Sequence, residues 1–383
     1  MRRVALVTAV AAVALGASLA ASAAETAPAE ATAGSPRWRI TQTVANLTVG
    51  GLWAGGARDA WLAGDACADP ATCGATDTSN GTVVVRHWDG RAWRAVKPPK
   101  AYVNTPLDQG AGPVVATSAS NAWIFAARGV QSVDYTDALH WTGKGWARPV
   151  RLNTAIQAAV APSATDVWAF GPPERISQSG YVTHYNGRTW THGGFPITGD
   201  AAGSSSPTDI WVGGEGGRLG ALGMEHWDGR SWRATRLPGL GTGPLALAFI
   251  AGIAAIGPRD AWADATTYSN SGGFSSYLLH WNGRLWSRIR IPFGAGADTP
   301  VARDGHGGLW LAGSIGIGRQ LTFWFFHYSG GSWTRTPVPR AGSQPTDVIG
   351  GQIAWIPRTR SLWATGGVVT NVGVGTAILK YGQ

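Results

Sequence analysis

Histidine recurs in this sequence, and it is a side chain that binds metals and transfers protons near neutral pH. Six of the eight histidines directly precede an aromatic residue, as in HWDGRSW at 226–232 and HWNGRLW at 280–286. Successive histidines of this set are 42 to 54 residues apart, so each belongs to a separate repeat unit. A single metal or general-base centre cannot use them together, and we therefore expect neither a metal nor a cofactor.

Acidic side chains suggest a different chemistry, because glycoside hydrolysis uses two carboxyl groups that flank the scissile bond. Asp134, Glu174 and Glu215 are the candidates, but they belong to different repeat units, so the sequence leaves their separation open. Serine-based hydrolysis is not predicted, since GSSSP at 203–207 lacks the strand-to-helix turn that exposes a nucleophilic serine. No residue is assigned a catalytic role.

The elements that must position these side chains are repeats. A phrase such as Asp-Ala-Trp precedes each histidine phrase, and the chain divides into seven units without a helical pattern. Units of this length, each made of four short strands, predict the blades of a β-propeller. Asp-Gly or Asn-Gly between the third and fourth strands predicts a two-residue type I′ hairpin, because these residues tolerate a positive φ. Eighteen of the 21 tryptophans occupy repeat positions, so we expect them to pack between blades.

The two ends of the chain indicate how the ring closes. The last unit stops at KYGQ, residues 380–383, without a fourth strand, whereas GSPRWRITQT at 34–43 contains a lone fourth-strand phrase. We predict an all-β, seven-bladed β-propeller of four-stranded blades over 35–383, in which the N-terminal strand completes the last blade and removes the open edges. On these repeats the chain resembles secreted bacterial seven-bladed propellers of the kelch, galactose-oxidase-like or WD40-like group. That resemblance transfers no catalytic residues.

A polar residue begins each second strand and is expected to lie beside the histidine that ends the third strand of the same blade. A hydrogen bond within the blade explains the pairing, and WD40 proteins resemble this chain in having a structural histidine and aspartate network. In the sixth blade His327 lies opposite Gly308, and in the seventh Ser361 and Lys380 replace both partners. The predicted pairs are Asp59 with His87, Asn121 with His140, Asp166 with His184, Asp209 with His226 and Asp260 with His280.

Ligand contacts are expected on the opposite face of the ring, where the connections vary in length. Variable loops held by a rigid scaffold carry binding residues more often than other segments do. Tyr, Asp, Glu and Arg side chains in these loops suit hydrogen bonding and stacking on a polar ligand such as a glycan. The candidates are Tyr102, Asp134, Tyr135, Glu174, Arg175, Glu215, Arg218, Tyr268 and Arg319.

The first 24 residues are typical of a secretory signal peptide. Residues 1–3 give a positive start, 4–20 are apolar, and 21–23 supply small residues for cleavage. We predict a flexible linker over 25–34 and a mature protein that is secreted and extracellular, without membrane insertion.

Charge and cysteine content describe the mature domain. The formal net charge is +9, and removal of Arg2 and Arg3 with a signal peptide that has no acidic residue leaves +7. A basic secreted protein favours anionic extracellular polymers, but no basic run is interleaved with aromatic residues, so a nucleic-acid partner is not expected. Cys67 and Cys73 are the only cysteines, and we expect them to form a disulfide in an oxidising compartment.

Three functions remain open from the sequence. The first is a non-catalytic, monomeric protein that binds an extracellular polysaccharide, cell-wall polymer or protein through its variable-loop face. The second is a polysaccharide hydrolase or lyase whose acidic residues gather at the mouth of the central channel. The third is a lectin with a pocket between each pair of blades, which predicts a repeat tryptophan open to solvent. The fold does not decide among them.

Overall fold

The computed structural model describes the repeat region, and the predicted signal peptide and linker lie outside the described residues. Within the described part, no helix is long and apolar enough to cross a membrane. The described residues are 36–67, 80–103, 105–106, 110–129, 134–152, 154–172, 180–216, 222–240, 248–268, 274–292, 296–297, 300–316, 322–342, 346–347, 351–370 and 373–382.

Almost all regular structure in these residues is β-strand, with one short 3-10 turn at Lys100–Tyr102. The strands of the first half are β1 (Trp38–Ala45), β2 (Leu47–Gly56), β3 (Asp59–Cys67), β4 (Asn80–Trp88), β5 (Trp93–Val96), β6 (Thr105–Pro106), β7 (Ala111–Ser118), β8 (Asn121–Gly129), β9 (Asp134–Trp141), β10 (Val150–Leu152), β11 (Ala158–Ser163), β12 (Asp166–Gly171), β13 (Gly180–Tyr185) and β14 (Trp190–Phe195). Those of the second half are β15 (Ala201–Ser206), β16 (Asp209–Glu215), β17 (Leu222–Trp227), β18 (Trp232–Ala234), β19 (Ala248–Gly257), β20 (Asp260–Tyr268), β21 (Phe274–Trp281), β22 (Trp286–Arg290), β23 (Gly296–Ala297), β24 (Ala302–Arg303), β25 (Leu309–Ile315), β26 (Thr322–Ser329), β27 (Ser332–Pro337), β28 (Thr346–Asp347), β29 (Ile353–Trp355), β30 (Leu362–Thr370) and β31 (Gly373–Tyr381).

These strands form seven antiparallel sheets, each of which is one blade of a β-propeller. The first strand is innermost and the fourth outermost. In blade six, β23 and β24 together occupy the first-strand position, as β28 and β29 do in blade seven. Blade one is β2–β5 with β6 added beside β4, blade two β7–β10, blade three β11–β14, blade four β15–β18, blade five β19–β22, blade six β23–β27, and blade seven β28–β31 with β1.

The second strand of each blade is buried on both faces, because a neighbouring blade covers each side of the sheet. In β3, Trp61 and Ala63 pack toward blade two, whereas the alternate residues Ala60 and Leu62 pack toward blade seven. Successive side chains of a strand point to opposite faces, so one strand contributes to two hydrophobic cores. The blade interfaces are therefore the cores of the molecule.

The innermost strands of adjacent blades approach each other through glycine. A Cβ atom at Gly50 would lie 1.9 Å from the Ala111 carbonyl oxygen, and one at Gly51 would lie 2.4 Å from the Val114 nitrogen. A side chain at either position would force β2 and β7 apart. Glycine is thus required here for close backbone approach between blades one and two.

The predicted ring closure is confirmed. Strand β1 pairs antiparallel with β31, and Trp38 lies opposite Tyr381 as the fourth-strand phrase requires. Trp38 is 4% exposed, and its ring stacks on Phe325 of blade six with 3.8 Å between ring centroids. The N-terminal strand therefore completes blade seven and also fills the interface with blade six.

The hairpins between third and fourth strands differ from the predicted two-residue turn. Trp88 pairs with Trp93, so four residues connect β4 to β5. The Asp89 carboxylate accepts hydrogen bonds from the backbone amides of the two residues that precede Trp93, each at 2.8 Å. Asn186, Asp228 and Asn282 bind amides in the same way. Asp or Asn is needed here as a side-chain acceptor, and the type I′ prediction is wrong for these hairpins.

Blade six alone of the described hairpins has the predicted geometry. Ser329 pairs with Ser332, and the two residues between them, Gly330 and Gly331, have φ of 58° and 80°. Two consecutive positive φ values are the requirement of a type I′ turn, and Gly-Gly meets it without an acceptor side chain.

Each second-strand tryptophan packs on the paired aromatic residues of the next blade's hairpin. The Trp211 ring centroid in blade four lies 5.2 Å from that of Trp281 and 5.1 Å from that of Trp286 in blade five. The same contact joins blade seven to blade one through Trp363. All 21 tryptophans lie within the described residues and are buried or half-buried, so the solvent-open repeat tryptophan that the lectin hypothesis requires is not found there.

Candidate functional site

The propeller has two faces with different kinds of connection. The repeat-turn face carries the turns from first to second strand, such as 57–58, and the hairpins from third to fourth strand, such as 89–92. The variable-loop face carries the remaining connections, where the sequence predicts the ligand site. The predicted ligand site must therefore be compared with the side chains at the strand ends near the variable-loop face.

The histidine pairs lie beside the repeat-turn face. In four of the five predicted pairs, the histidine Nε2 and an aspartate Oδ1 are within hydrogen-bond distance. These are His87 with Asp59 at 2.9 Å, His184 with Asp166 at 2.7 Å, His226 with Asp209 at 2.7 Å and His280 with Asp260 at 3.1 Å. Each of these histidine rings also packs on the second-strand tryptophan beside it. This arrangement fixes the second and third strands of one blade and brings no two histidines of different blades together.

In blade six, the carboxylate that pairs with the histidine comes from a different sequence position than in the other blades. The Asp304 Oδ2 lies 2.9 Å from the His327 Nε2, although the repeat alignment places Gly308 opposite that histidine. A Cβ atom at Gly308 would lie 2.3 Å from Asp304 Oδ2. The glycine therefore leaves the space that the carboxylate occupies, and the preceding turn supplies the partner.

Blade seven replaces the histidine with lysine while keeping the contact to tryptophan. The Lys380 Nζ lies 5.7 Å from the centre of the Trp363 ring, within the range of a cation–π contact. Burial, followed by the nearby Arg39, lowers the pKa of Lys380.

The fifth predicted pair, Asn121 with His140, does not form. The Asn121 Oδ1 and the His140 Nε2 are both buried without a hydrogen-bond partner among the described residues, and burial lowers the pKa of His140. The His140 ring stacks on Trp123 with 4.0 Å between centroids. The neutral amide lacks the negative charge that attracts histidine in the other blades.

Replacement of Asn121 with aspartate is expected to create the missing pair and to raise the free energy of unfolding by about 1 kcal/mol. Urea unfolding followed by tryptophan fluorescence measures the change. Asn282→Asp is the matched control, because Asn282 accepts backbone hydrogen bonds in a hairpin where blades one and four already use aspartate. Equal effects of the two variants would contradict the prediction.

Several residues predicted for the ligand site cannot be placed. Asp134 begins β9, but its side chain is outside the described set, as is that of Cys67 at the end of β3. The predicted disulfide therefore stays a prediction. Glu174, Arg175, Arg218, Arg319 and Cys73 lie outside the described residues.

Two of the predicted residues, Tyr102 and Tyr135, belong to one chain of contacts in the interface between blades one and two. Tyr102 is 3% exposed, and its hydroxyl donates a hydrogen bond to the Asp137 Oδ2 at 2.9 Å. Asp137 Oδ1 lies 3.7 Å from the Arg151 Nε, and the Arg151 guanidinium lies 3.9 Å above the centre of the Tyr135 ring. We call Tyr102, Tyr135, Asp137 and Arg151 the blade-two cluster.

The blade-two cluster has a buried base and an exposed rim. The Asp137 side chain is 7% exposed, whereas that of Arg151 is 58% exposed. Tyr102 is too deeply buried to contact a ligand, so it positions Asp137 instead. Arg151 is thus held from below by a carboxylate and from the side by an aromatic ring, with donors free to face solvent.

A second carboxyl group, that of the half-buried Asp65, lies in the same interface. A Cβ atom at Gly110, which has φ +71°, would lie 2.1 Å from the Asp65 Oδ1. The chain therefore enters blade two directly over this carboxyl group. Burial raises the pKa of Asp65 to about 6, and a hydrogen bond with its own backbone opposes that shift.

Blade four brings two carboxyl groups together near the variable-loop face. Asp200 precedes β15, and Glu215, one of the predicted residues, ends β16. The Thr198 hydroxyl donates a hydrogen bond to Asp200 Oδ1 at 2.7 Å and accepts one from the Glu215 amide at 2.9 Å. Burial, with a smaller contribution from the negative charge of Glu215, raises the pKa of Asp200 to about 6.

Asp264 in β20 is another buried acid, and it connects blades five and six. Its side chain is fully buried, and its Oδ1 accepts a hydrogen bond from the Val301 amide at 3.1 Å. Oδ2 has no hydrogen-bond partner among the described residues. Burial raises the pKa of Asp264 to about 7, and hydrogen bonds from the amides of Val301, Asp264, Ala251 and Gly252 oppose that shift.

The remaining predicted residue, Tyr268, ends β20 at the variable-loop face and is 43% exposed. Its ring stacks on Phe249 with 6.0 Å between centroids. An exposed aromatic ring at this edge suits stacking on a ligand, but it belongs to blade five and lies in a different part of the ring from the blade-two cluster.

The described residues can be compared with the requirements of a metal site, and one surface groove lies away from the blade-two cluster. There, no group of three or more His, Cys, Asp or Glu side chains is arranged to hold a metal ion. A surface groove of about 490 Å³ lies between Leu237 of blade four and Leu285 of blade five. The groove borders the hairpin of blade five, and so it opens toward the repeat-turn side and away from the blade-two cluster.

The sequence analysis did not identify five charged residues that complete these arrangements, which are Asp65, Asp137, Arg151, Asp200 and Asp264. For Asp65 and Asp264, a signal was present, because a charged residue within a second strand covered by blades on both faces is unusual.

Comparison with known proteins shows the fold. No protein-family model and no curated protein matches the sequence. A protein of unknown function from Dyadobacter fermentans is similar in structure, with a TM-score of 0.53 and 11% identity over 90% of this chain and 99% of that chain.

Two glycan-degrading enzymes are more distant in structure. The GH74 xyloglucanase from Xanthomonas campestris has a TM-score of 0.47 and 11% identity over 87% of this chain and 60% of that chain. The endosialidase of phage phi92 has a TM-score of 0.47 and 10% identity over 90% of this chain and 68% of that chain. What the chain shares with known structures is the propeller, and the function must be inferred from its own residues.

Proposed function

We propose that the protein is a secreted, non-catalytic β-propeller that binds an extracellular polysaccharide through its variable-loop face, with Arg151 and Tyr135 in contact with the ligand. The blade-two cluster is the observation that supports this proposal. Its buried part is fixed by Tyr102 and Asp137, while its outer part offers the exposed guanidinium of Arg151 beside the half-buried ring of Tyr135. A rigid scaffold that presents a few polar groups is the usual arrangement of a recognition site.

The chemistry of Arg151 favours a ligand that carries carboxylate groups. A guanidinium offers several donors in one plane and binds a carboxylate through two parallel hydrogen bonds. Its only acidic partner among the described residues is Asp137, at 3.7 Å, so the exposed donors remain available. Tyr135 supplies an aromatic face against which a sugar ring can lie. An acidic oligosaccharide therefore fits this cluster better than a neutral one.

Replacement of Arg151 with alanine is expected to weaken the binding of a short acidic oligosaccharide by about tenfold or more, because a hydrogen-bonded charge pair is lost. Calorimetric titration of the purified protein with oligogalacturonate, and with a neutral oligosaccharide of equal length, measures the affinity. The wild type is expected to prefer the acidic ligand.

Arg290→Ala is the matched control for Arg151→Ala. Arg290 is also an exposed arginine in an outer strand, but in blade five, so its removal changes the net charge equally. Thermal unfolding of both variants checks that the fold is kept. Equal weakening by the two substitutions, or saturable binding that is unchanged in Arg151→Ala, would contradict a site at the blade-two cluster.

Asp200 and Glu215 support a second candidate function, polysaccharide hydrolysis. The raised pKa of Asp200 keeps this carboxyl protonated under mildly acidic conditions, as a general acid requires. Glu215 could then serve as the second carboxyl group. Release of reducing ends from a polymer by the wild type, abolished in Asp200→Asn, would favour this function, whereas binding without turnover favours the first.

A further inference from the structure

The repeat-turn face carries a cation at the same hairpin position in five successive blades. In each case the residue follows the glycine of the hairpin, and its side chain is exposed. The five residues are Arg91, Lys144, Arg188, Arg230 and Arg284. Neighbouring turns on the same face add further exposed cations, which are Arg37, Arg58, Arg259, Arg358 and Arg360.

None of these ten cations forms an ion pair with an acidic side chain among the described residues. The hairpins hold their conformation through Asp89 and its equivalents, which bind backbone amides. The arginine side chain after the glycine is therefore not needed to form the hairpin.

The described aspartates on this face pair with other side chains and not with the side chains of these ten cations. Asp89 pairs with Arg94, and Asp228 pairs with Arg233. The aspartates at the second-strand starts, and Asp304 in blade six, each lie beside a histidine. The exposed cations consequently have no ion-paired carboxylate of their own among the described residues.

The inner part of the same face contains one more cation. Arg303 ends the inner strand β24, is half-buried, and lies 4.3 Å above the centre of the Trp355 ring. No carboxylate among the described residues pairs with it. The Arg360 Nε donates a hydrogen bond to the His306 Nε2 at 3.1 Å, which positions a second guanidinium in the neighbouring turn. The cationic character thus extends from the hairpins toward the axis of the ring.

We propose that the repeat-turn face is a second binding surface, which binds a long polyanionic polymer with regularly spaced phosphate or carboxylate groups. This proposal does not depend on the one made for the variable-loop face. A row of separate cations on successive blades matches repeated charges better than one small anion, because no single turn offers a closed pocket. Each contact is weak alone, and several contacts along one chain add in the manner of multivalent binding.

The test compares two quadruple variants of equal net charge. Arg91, Arg188, Arg230 and Arg284 are replaced with serine in the test variant. The control variant replaces four exposed cations at or beyond the ends of fourth strands, away from the hairpins, namely Lys97, Lys100, Arg290 and Arg340. Inorganic polyphosphate and polygalacturonate, each as long and short chains, are the probes, and binding is measured in solution at several salt concentrations. The two probes distinguish a phosphate from a carboxylate source.

We expect the wild type to bind at least one long polymer and to bind its short form much more weakly. The test variant should lose about tenfold or more in affinity and show a smaller salt dependence, since fewer counterions are released. The control variant should keep the affinity for the long polymer.

Three outcomes would overturn the proposal. Equal loss in the test and control variants would show that only net charge matters. Affinity independent of polymer length would indicate a single-anion site. Tighter binding to duplex DNA or to phosphatidylglycerol vesicles than to either polymer would assign the surface to a nucleic acid or a membrane instead.

Discussion

Replacement of Trp38 with alanine is expected to lower the free energy of unfolding by about 3 to 5 kcal/mol, the usual cost of deleting a large buried aromatic side chain. The ring of Trp38 contacts Phe325 and Trp310 of blade six as well as Tyr381 of its own blade. These contacts connect residues far apart in sequence, so the substitution weakens the ring where the two ends of the chain meet. Urea unfolding of the variant measures the loss.

Trp324→Ala is the control for this effect. Trp324 lies in the same part of the ring, in blade six, but it is only half-buried and packs under Arg335 with 4.4 Å between the guanidinium and the ring centre. We expect a clearly smaller loss of stability. Hydrogen exchange adds a second readout, because amides of β1 and β31 should exchange faster in Trp38→Ala than in Trp324→Ala. Equal losses, or slow exchange of β1 in both, would contradict the closing role of Trp38.

Replacement of Asp264 with asparagine is expected to change how stability depends on pH. The folded-state pKa of Asp264 is about 7, above the value near 3.9 of an unfolded chain. Between these two values the folded state binds more protons than the unfolded state, so stability falls as pH rises and becomes level above about pH 7. From pH 5 to pH 8 the wild type should lose about 3 kcal/mol more than the variant, which cannot ionise and keeps the Oδ1 acceptor.

Measuring unfolding of both proteins across this range tests the expectation. Asp65 and Asp200, whose pKa values are raised to about 6, add the same downward trend to both proteins. The difference between the two curves therefore isolates Asp264. Asp228→Asn serves as the control, because backbone hydrogen bonds lower the pKa of that exposed carboxyl group and its removal should leave the trend unchanged. Parallel curves for wild type and Asp264→Asn would contradict the assignment.

The ring and its closure could be predicted because they depend on spacing that repeats seven times. In six blades the tryptophan of the second strand and the histidine of the third strand lie opposite each other in register, as Trp211 and His226 do, and in blade seven Lys380 takes the place of the histidine. The strands of one repeat unit could therefore be assigned from the matching residues of the next unit. The seventh blade could be completed because its missing strand was visible as an unpaired phrase around Trp38.

The candidate site could not be predicted from repeats, because it consists of what the repeats do not share. Arg151, Asp137 and Tyr102 come from a fourth strand, a third strand and a connection between blades. Their contact depends on how two strands and a loop pack against each other. The spacing of residues along the sequence does not predict this packing. The partner of His327 was missed for a related reason, since Asp304 reaches it from a turn four residues before the expected position.

The hairpins were predicted incorrectly because Asp-Gly satisfies two different requirements. It is typical of a type I′ turn through its tolerance of positive φ, and it also suits a longer loop in which the carboxylate binds two amides. Only the pairing of Trp88 with Trp93 separates the two cases.

Pairing of Trp38 with Tyr381 also determines how the molecule can be attached to a surface. Both residues lie where a third strand meets a fourth, so residues 36–37 and Gly382 lie on the repeat-turn face, where the Arg39 guanidinium donates a hydrogen bond to the Gly382 carbonyl. A tag at either end of the described domain would therefore anchor the disc with its cationic side against the support. Terminal immobilisation would mask that side and leave the blade-two cluster accessible, so the two proposed binding events can be separated by orientation alone, without any substitution.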